Sequence, residues 1–460
     1  MMIAGGDRIE IGEGQFERLA DFILGKRPKI PPATMAMAAR LLVDTLSVTA
    51  GASMLEVSRI ARSHAVRFLA TGDEQSEAPI LFDGRKVSMA GAAFAAATQT
   101  DNLDAHDGYY PTKGHIGCAV IPALFAFAER CPDLSGRGAL EAIVVAYEVA
   151  ARAGTALHAS VSDYHTSGAW NGLGVAALGC RLLGLGPQAL RNALGIAEYH
   201  GPRSQMMREI DHPTMLHDGS GMGALVGVQA VMLAADGFQG APAITAEAKD
   251  AAAIWSDLGK RWTVDANYIK PYPICRWAHA AIDALRSVMV THGVGEADVK
   301  NIHINTFHEA SRLFDGMPTT TSQAQYSLKF AVATMLHHRR VGPEHIEGAA
   351  LQDPAIAALL PRISITEAER HNVRFPAGRW SDIIVTTHDG RQIESGDTPA
   401  RGGLEAPLGE AEFIEKFEAM TLPVMDAARS RSILSAGLNL VNGNSLFSDL
   451  AALCYPPAGN

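Results

Sequence analysis

Tyr268-Ile-Lys-Pro-Tyr-Pro273 divides the chain into two parts with different periods. Neither of its prolines fits a helix interior, because each lacks an N–H donor and its ring collides with the preceding turn. N-terminal to it, apolar residues recur at helical spacing from Gln15 to about Ala266. C-terminal to it the period becomes two: Val299-Lys-Asn-Ile-His-Ile-Asn-Thr-Phe307 alternates as a half-buried strand does.

Working back from the divide, helices are expected at Val57–Leu69, Met89–Thr98, Cys118–Glu129, Gly138–Ala156, Gly168–Leu183, Pro187–Glu198 and Gly221–Ala235. Pro31-Pro32 opens a further one through Met35, Ala39, Leu42, Leu46 and Val48. Asp83-Gly84 marks a hairpin turn within Pro79–Val87. Working forward, Ile383–Thr387 and Arg391–Ser395 flank Asp389-Gly390, a second hairpin signal, with helices expected at Ala278–His292 and Ser327–His337. Helical spacing returns at Glu410–Ala427 and Arg431–Leu440. The expected fold class is mainly α. Residues 1–268 and 408–460, from both chain ends, form a large all-helical domain, and residues 269–407 form a smaller α+β domain.

Composition narrows the function. Hydrophobic residues at 47% and charged residues at 19% give a chain that buries a large core. A formal charge of −10 argues against nucleic acid or an anionic membrane as partner. An anionic substrate therefore needs a local cluster of cations. Five scattered cysteines without a CxxC pair suggest neither a disulfide framework nor a zinc ribbon, and a reducing cytoplasm suits them. Residues 1–14 lack the apolar run of a secretory signal. Gly219–Gly237 falls short of the roughly 20 residues a membrane span needs and reads as a buried helix.

Three places share a local design. His115-Ile-Gly-Cys-Ala-Val, His165-Thr-Ser-Gly-Ala-Trp and His217-Asp-Gly-Ser-Gly-Met each put a histidine before a small-residue turn that opens an apolar helix. They stand 50 and 52 residues apart, so the helices are expected as neighbours in a bundle. A helix N-terminus favours an anion and disfavours imidazolium, which keeps such a histidine neutral and available as a base. The densest polar stretch is Asp101-Asn-Leu-Asp-Ala-His-Asp-Gly-Tyr-Tyr-Pro-Thr-Lys-Gly-His115. Asp104, His106, Asp107 and His115 could be metal ligands. The stretch has neither Glu-x-x-His nor His-Glu-x-x-His, so acid–base use of Asp104 and His115 is preferred and no metal is expected. Lys113, Arg203, Arg208, Lys270 and Arg276 can supply the cations. Without a P-loop or a Gly-x-Ser-x-Gly elbow, phosphoryl transfer and serine hydrolysis lose support. Gly219-Ser-Gly-Met-Gly follows a loop and makes a poor dinucleotide fingerprint.

Asp101–Pro122, His165–Gly186, Met206–Gly237, Lys270-Pro-Tyr-Pro-Ile-Cys-Arg-Trp-Ala-His and Ala324-Gln-Tyr-Ser-Leu-Lys-Phe-Ala-Val-Ala resemble the MmgE/PrpD family over nearly the whole chain, in the family's order. The resemblance implies a helical domain under an α+β lid, usually a homodimer. It also implies cofactor-free chemistry at the α-carbon of small di- or tricarboxylates: dehydration of 2-methylcitrate, decarboxylation of cis-aconitate or epimerisation of iminodisuccinate. From the decarboxylase branch, Asp104, His115 and His165 carry over. That branch's lysine falls near Thr214 with His217 three residues on, its lid tyrosine falls at Phe330, and its loop threonine at Gly108. The expected activity is dehydration of a small hydroxy acid, with epimerisation, decarboxylation or non-catalytic carboxylate binding as alternatives. His115 and His165 are the expected acid–base pair, Asp104 an orienter or second base, and His217 stands in the lysine's neighbourhood. Tyr272 and Lys329 are expected to reach the pocket from the lid.

Overall fold

The computed structural model describes residues 9–25, 29–443 and 445–456, so the expectation for residues 1–14 lies in part outside them. The helix Pro32–Gly51 begins with proline at its first position and runs at the centre of the helical part. It packs against Met89–Leu103, Gly117–Ala128, Gly136–Ser160, Glu410–Thr421 and Ala427–Asn439. Neighbours on every side explain why it is apolar all round. With the turn to Met54 it is long and apolar enough to cross a membrane, and 78% of its most apolar window is buried in the fold.

The three helices that follow the histidine motifs, Gly117–Ala128, Asn171–Leu182 and Ser220–Ala235, pack against one another. Small residues allow the approach: a Cβ on Gly227 would lie 2.5 Å from Val175 Cβ. The second motif departs from the expected design, because the 3₁₀ turn Ser167–Ala169 intervenes between His165 and its helix.

Two C-terminal boundaries differ from expectation. The helix expected over Glu410–Ala427 ends at Thr421, two residues before Pro423. The next begins earlier than expected, at Ala427, because Asp426 caps it by accepting from the Ala428 and Arg429 N–H groups at 3.0 and 2.9 Å. Phe413, Phe417, Ile433, Leu440 and Phe447 bury in the same apolar cluster as Leu41, Leu42 and Leu46.

The α+β part carries a mixed sheet in the order Ile363–Glu367, Val299–Thr306, Trp380–Thr387, Gln392–Glu394. Its first pair is parallel and the others are antiparallel. The expected hairpin turns at Asp389-Gly390, where Gly390 has φ 90°. Helix His279–His292 packs on Trp380–Thr387 and on helix Leu328–His338. Leu103, Ala105 and Met206 from the helical part bury in this second apolar cluster. One short pairing was not expected. Gly108–Tyr109 joins Asn267–Tyr268 in antiparallel register, tying the acidic loop to the residues before Lys270.

Candidate active site

Helix Met89–Leu103 ends because Asp104 turns into the left-handed region at φ 54°, a conformation aspartate tolerates better than most residues. Both the carbonyl and the carboxylate of Asp104 then face Lys270. The Lys270 ammonium donates to the Asp104 carbonyl at 2.8 Å and forms an ion pair with its carboxylate, fully buried. The Gly108–Tyr268 pairing sets this meeting up. A Cβ at residue 108 would lie 2.3 Å from the Tyr268 hydroxyl, so that hydroxyl fills the space a larger residue would need.

His115 is held on both sides. Its Nδ1 lies 2.6 Å from the Asp107 carbonyl, an acceptor only, so Nδ1 carries the hydrogen and Nε2 is the basic nitrogen. Nε2 is 3.6 Å from Asp218 Oδ2. The other Asp218 oxygen accepts from the Ser167 N–H at 2.9 Å and from its hydroxyl at 2.5 Å, while Ser167 Oγ accepts from the His115 N–H at 2.8 Å. Burial lowers the His115 pKa, partly offset by Asp218, so the ring is neutral at pH 7.

Further titratable groups crowd this pair. His106 is fully buried with both ring nitrogens unpartnered, its ring 4.4 Å from that of His115, and burial and His115 hold its pKa well below the usual value. His217 Nε2 is also unpartnered; burial pushes that group down to about 4. Asp101 accepts from the Ser220 N–H at 2.9 Å. Glu209 accepts from the Tyr326 hydroxyl, and the Tyr326 ring stands 5.5 Å from that of His217. Burial, then the charge of Asp218, raises both Asp101 and Glu209 well above the carboxylate range. Asp104 has Lys270 and Asp44 has Lys416, whereas among the described residues no Lys or Arg lies within 4 Å of Asp101, Asp107 or Glu209. Holding protons is how a dry site tolerates such carboxylates.

Asp107 shows this in a measurable form. Burial and the neighbouring Asp44 raise it to about 7, against about 4 in the unfolded chain. Between those values the folded chain keeps a proton that the unfolded chain has lost. The stabilisation is therefore complete below about pH 4 and is lost as pH rises through about 7. Asp107→Asn keeps an acceptor for the Tyr147 hydroxyl and the Gly117 N–H. It should flatten the fall in unfolding midpoint between about pH 4 and about pH 7. Parallel midpoint curves for variant and wild type would assign the fall to another group.

Asp104, His115, His217 and Lys270 thus meet in one buried cluster. His165 is buried too, but its Nδ1 faces the Asp163 carbonyl at 3.0 Å and its ring makes no hydrogen bond to a cluster member among the described residues. Lys113 lies over the Tyr164 ring at 4.3 Å, and Arg276 is buried against Tyr268 and Tyr110. Three expectations land elsewhere. Arg203 and Arg208 are exposed: Arg203 precedes the short helix Met206–Asp211, which turns Glu209 and Ile210 inward and Arg208 outward. Lys329 pairs with Asp315 at 2.8 Å. The Tyr272 hydroxyl donates to Asp283 at 2.7 Å and accepts from Arg401 at 3.1 Å, beside a separate cleft of about 680 Å³. Thr214 is exposed and Phe330 buried in the second apolar cluster, so the amine and phenol of this cluster are those of Lys270 and Tyr326.

Sequence reasoning missed Asp218, Glu209, Tyr326 and Arg379. Asp218 and Glu209 directly follow the chosen His217 and Arg208, and Tyr326 stands three residues before Lys329, whereas Arg379 carries no local signal. Among possible metal donors, ligand atoms of Asp104, His106 and His115 lie within 4.8 Å of one another. The Lys270 ammonium pairs with one Asp104 oxygen, and its charge beside the other, unpartnered oxygen opposes a further cation, so the set is better suited to moving protons than to holding a metal ion.

Known proteins resemble this chain over most of its length. A cis-aconitate decarboxylase-like protein of Aspergillus oryzae is 23% identical, with 95% of this chain and 96% of that protein covered. A cis-aconitate decarboxylase of Aspergillus terreus is 22% identical over 80% of this chain and 79% of its own length. Another, from A. terreus strain NIH 2624 / FGSC A1156, is 23% identical over 77% and 78%. Residues 17–261 match the MmgE/PrpD N-terminal domain and residues 272–440 the MmgE/PrpD C-terminal domain, so the chain belongs to the MmgE/PrpD family.

Proposed function

We propose that this chain is a cofactor-independent lyase that dehydrates a small hydroxy-di- or tricarboxylate by acid–base chemistry. The observation that carries the reading is the orientation of His115. With Nδ1 pinned to the Asp107 carbonyl, its basic Nε2 is left 3.6 Å from Asp218, in a cluster where ligand atoms of His115 and of the Lys270-paired Asp104 lie within 4.8 Å. The neutral imidazole takes the proton from the carbon next to a substrate carboxylate. The Lys270 ammonium stabilises the negative charge that develops on that carboxylate. A second group then gives a proton to the departing hydroxyl, so water leaves and a double bond forms. His165 is placed in that role, and the α+β part acts as the lid that excludes water.

Decarboxylation of an unsaturated tricarboxylate is the second reading, favoured by the names of the Aspergillus relatives. Proton NMR in D₂O with 2-methylcitrate, citrate, cis-aconitate, tartrates, malate and iminodisuccinate separates the readings. A vinylic or 2-oxo product with loss of water supports dehydration, and loss of carbon dioxide with deuterium in its place supports decarboxylation. Deuterium exchange with unchanged connectivity would replace both with epimerisation. Binding without exchange of any carbon-bound hydrogen would leave a carboxylate-binding protein.

A further inference from the structure

Three cations from separate parts of the chain gather around Tyr110, Tyr164 and Tyr268, and none forms an ion pair among the described residues. The Arg276 guanidinium sits 4.4 Å from the Tyr268 ring centroid and donates to the Tyr110 hydroxyl at 2.7 Å and the Ala400 carbonyl at 3.0 Å. Arg379, from the lid, sits 4.9 Å from the Tyr110 ring centroid and donates only through Nη1, to the Pro376 and Gly378 carbonyls at 2.7 and 3.2 Å. The Lys113 ammonium lies over the Tyr164 ring and makes no hydrogen bond or ion pair among the described residues. Arg276 and Arg379 are 3% and 2% exposed, and Nε of each is buried without a partner. Among the described residues Glu309 and Glu405 form no ion pair with any of the three, although Glu309 acts on Lys113 through space. Burial and Arg379 lower the Lys113 pKa, partly offset by the charge of Glu309.

Arginine stays charged in proteins, so two such guanidinia cannot relieve their burial by losing protons. Aromatic faces offset part of the cost. Unpartnered Nε donors and a third cation still make this a place where an anion is stabilised. The Tyr268 ring, 6.4 Å from that of His115, spaces it from the reacting groups by about the length of a small polycarboxylate. We infer that Arg276, Arg379 and Lys113 form the seat for a substrate carboxylate remote from the reacting carbon. This seat makes the enzyme specific for di- and tricarboxylates over monocarboxylates, and Arg379 couples its occupancy to the lid. The inference rests on the function proposed above and adds Arg379 as a specificity-determining residue.

The test uses binding, so it does not depend on turnover. Tricarballylate has no hydroxyl to lose and serves as the probe; propionate is its one-carboxylate control. Isothermal titration should show the wild type binding tricarballylate and not propionate. Arg379→Met should weaken tricarballylate binding by about 10–100-fold, and Arg379→Lys should restore part of it. Lys113→Met removes the least buried member and gives a second reading should Arg379→Met fail to fold. Tricarballylate affinity unchanged in Lys113→Met and in a folded Arg379→Met overturns the seat and leaves the proposed function standing. A wild type that binds neither acid, in a preparation that turns over a substrate of the NMR panel, also overturns the seat. A wild type silent in both assays overturns the functional reading and the seat with it.

Discussion

His115→Ala should lower kcat/KM by about 10²–10⁴-fold, the usual contribution of a positioned acid or base. The unfolding midpoint should change far less, because the ring gives up one hydrogen bond to a backbone carbonyl and an edge contact with His106. The pH profile makes the prediction specific. Burial lowers His115, so the acid limb of the wild-type kcat/KM profile should lie below the ordinary histidine value of about 6.5. Activity should rise with pH through that limb, since the base works only when neutral. Free imidazole added to the variant should recover part of the rate by entering the vacated space. Full turnover in a folded His115→Ala variant would remove this residue from proton transfer and leave the reading without its carrier.

Lys416→Met should destabilise the chain by roughly 3–5 kcal/mol, the cost of leaving a buried carboxylate without its counter-charge. Asp44 is 1% exposed and accepts from the Lys416 ammonium at 2.5 Å. Burial raises the Asp44 pKa despite Lys416, so the variant carboxyl can escape part of the cost by taking a proton. The destabilisation should therefore be smaller at low pH and grow as pH rises. Asp44→Leu combined with Lys416→Met should regain most of the loss, because a packed apolar pair replaces a desolvated ionic one. Denaturant unfolding of both variants is the check; equal losses would assign the effect to packing and not to the charge left behind. Lys416 also donates to the Ala105 carbonyl at 2.8 Å. Ala105 lies between Asp104 and His106, so the single variant should also lose activity at temperatures where it remains folded.

The helical part was legible because its signals are local. Helix Gly117–Ala128 was expected one residue away at each end, since apolar spacing and the small residues before it are adjacent in sequence. The hairpin at Asp389-Gly390 was legible for the same reason: only a residue comfortable at positive φ suits that turn. Strand Ile363–Glu367 went unremarked because five residues at a sheet edge leave too short a pattern. At the site, Asp104 and His115 stood out as polar residues in an apolar region. Arg203 and Arg208 stood out equally and face solvent, because the direction a short helix turns its side chains depends on what packs beneath it.

By itself, then, the sequence determined the mainly helical class, the change of period after Tyr268 and the three histidine motifs, each of which depends on residues close together in the chain. Tertiary structure alone decided which charges meet. Asp104 finds Lys270, Asp218 orients Ser167 beside His115, Glu209 receives the Tyr326 hydroxyl, and Arg379 joins Arg276 with no acid partner among the described residues. The interaction of two buried charges depends on their separation in space and on the water excluded around them, neither of which sequence spacing measures.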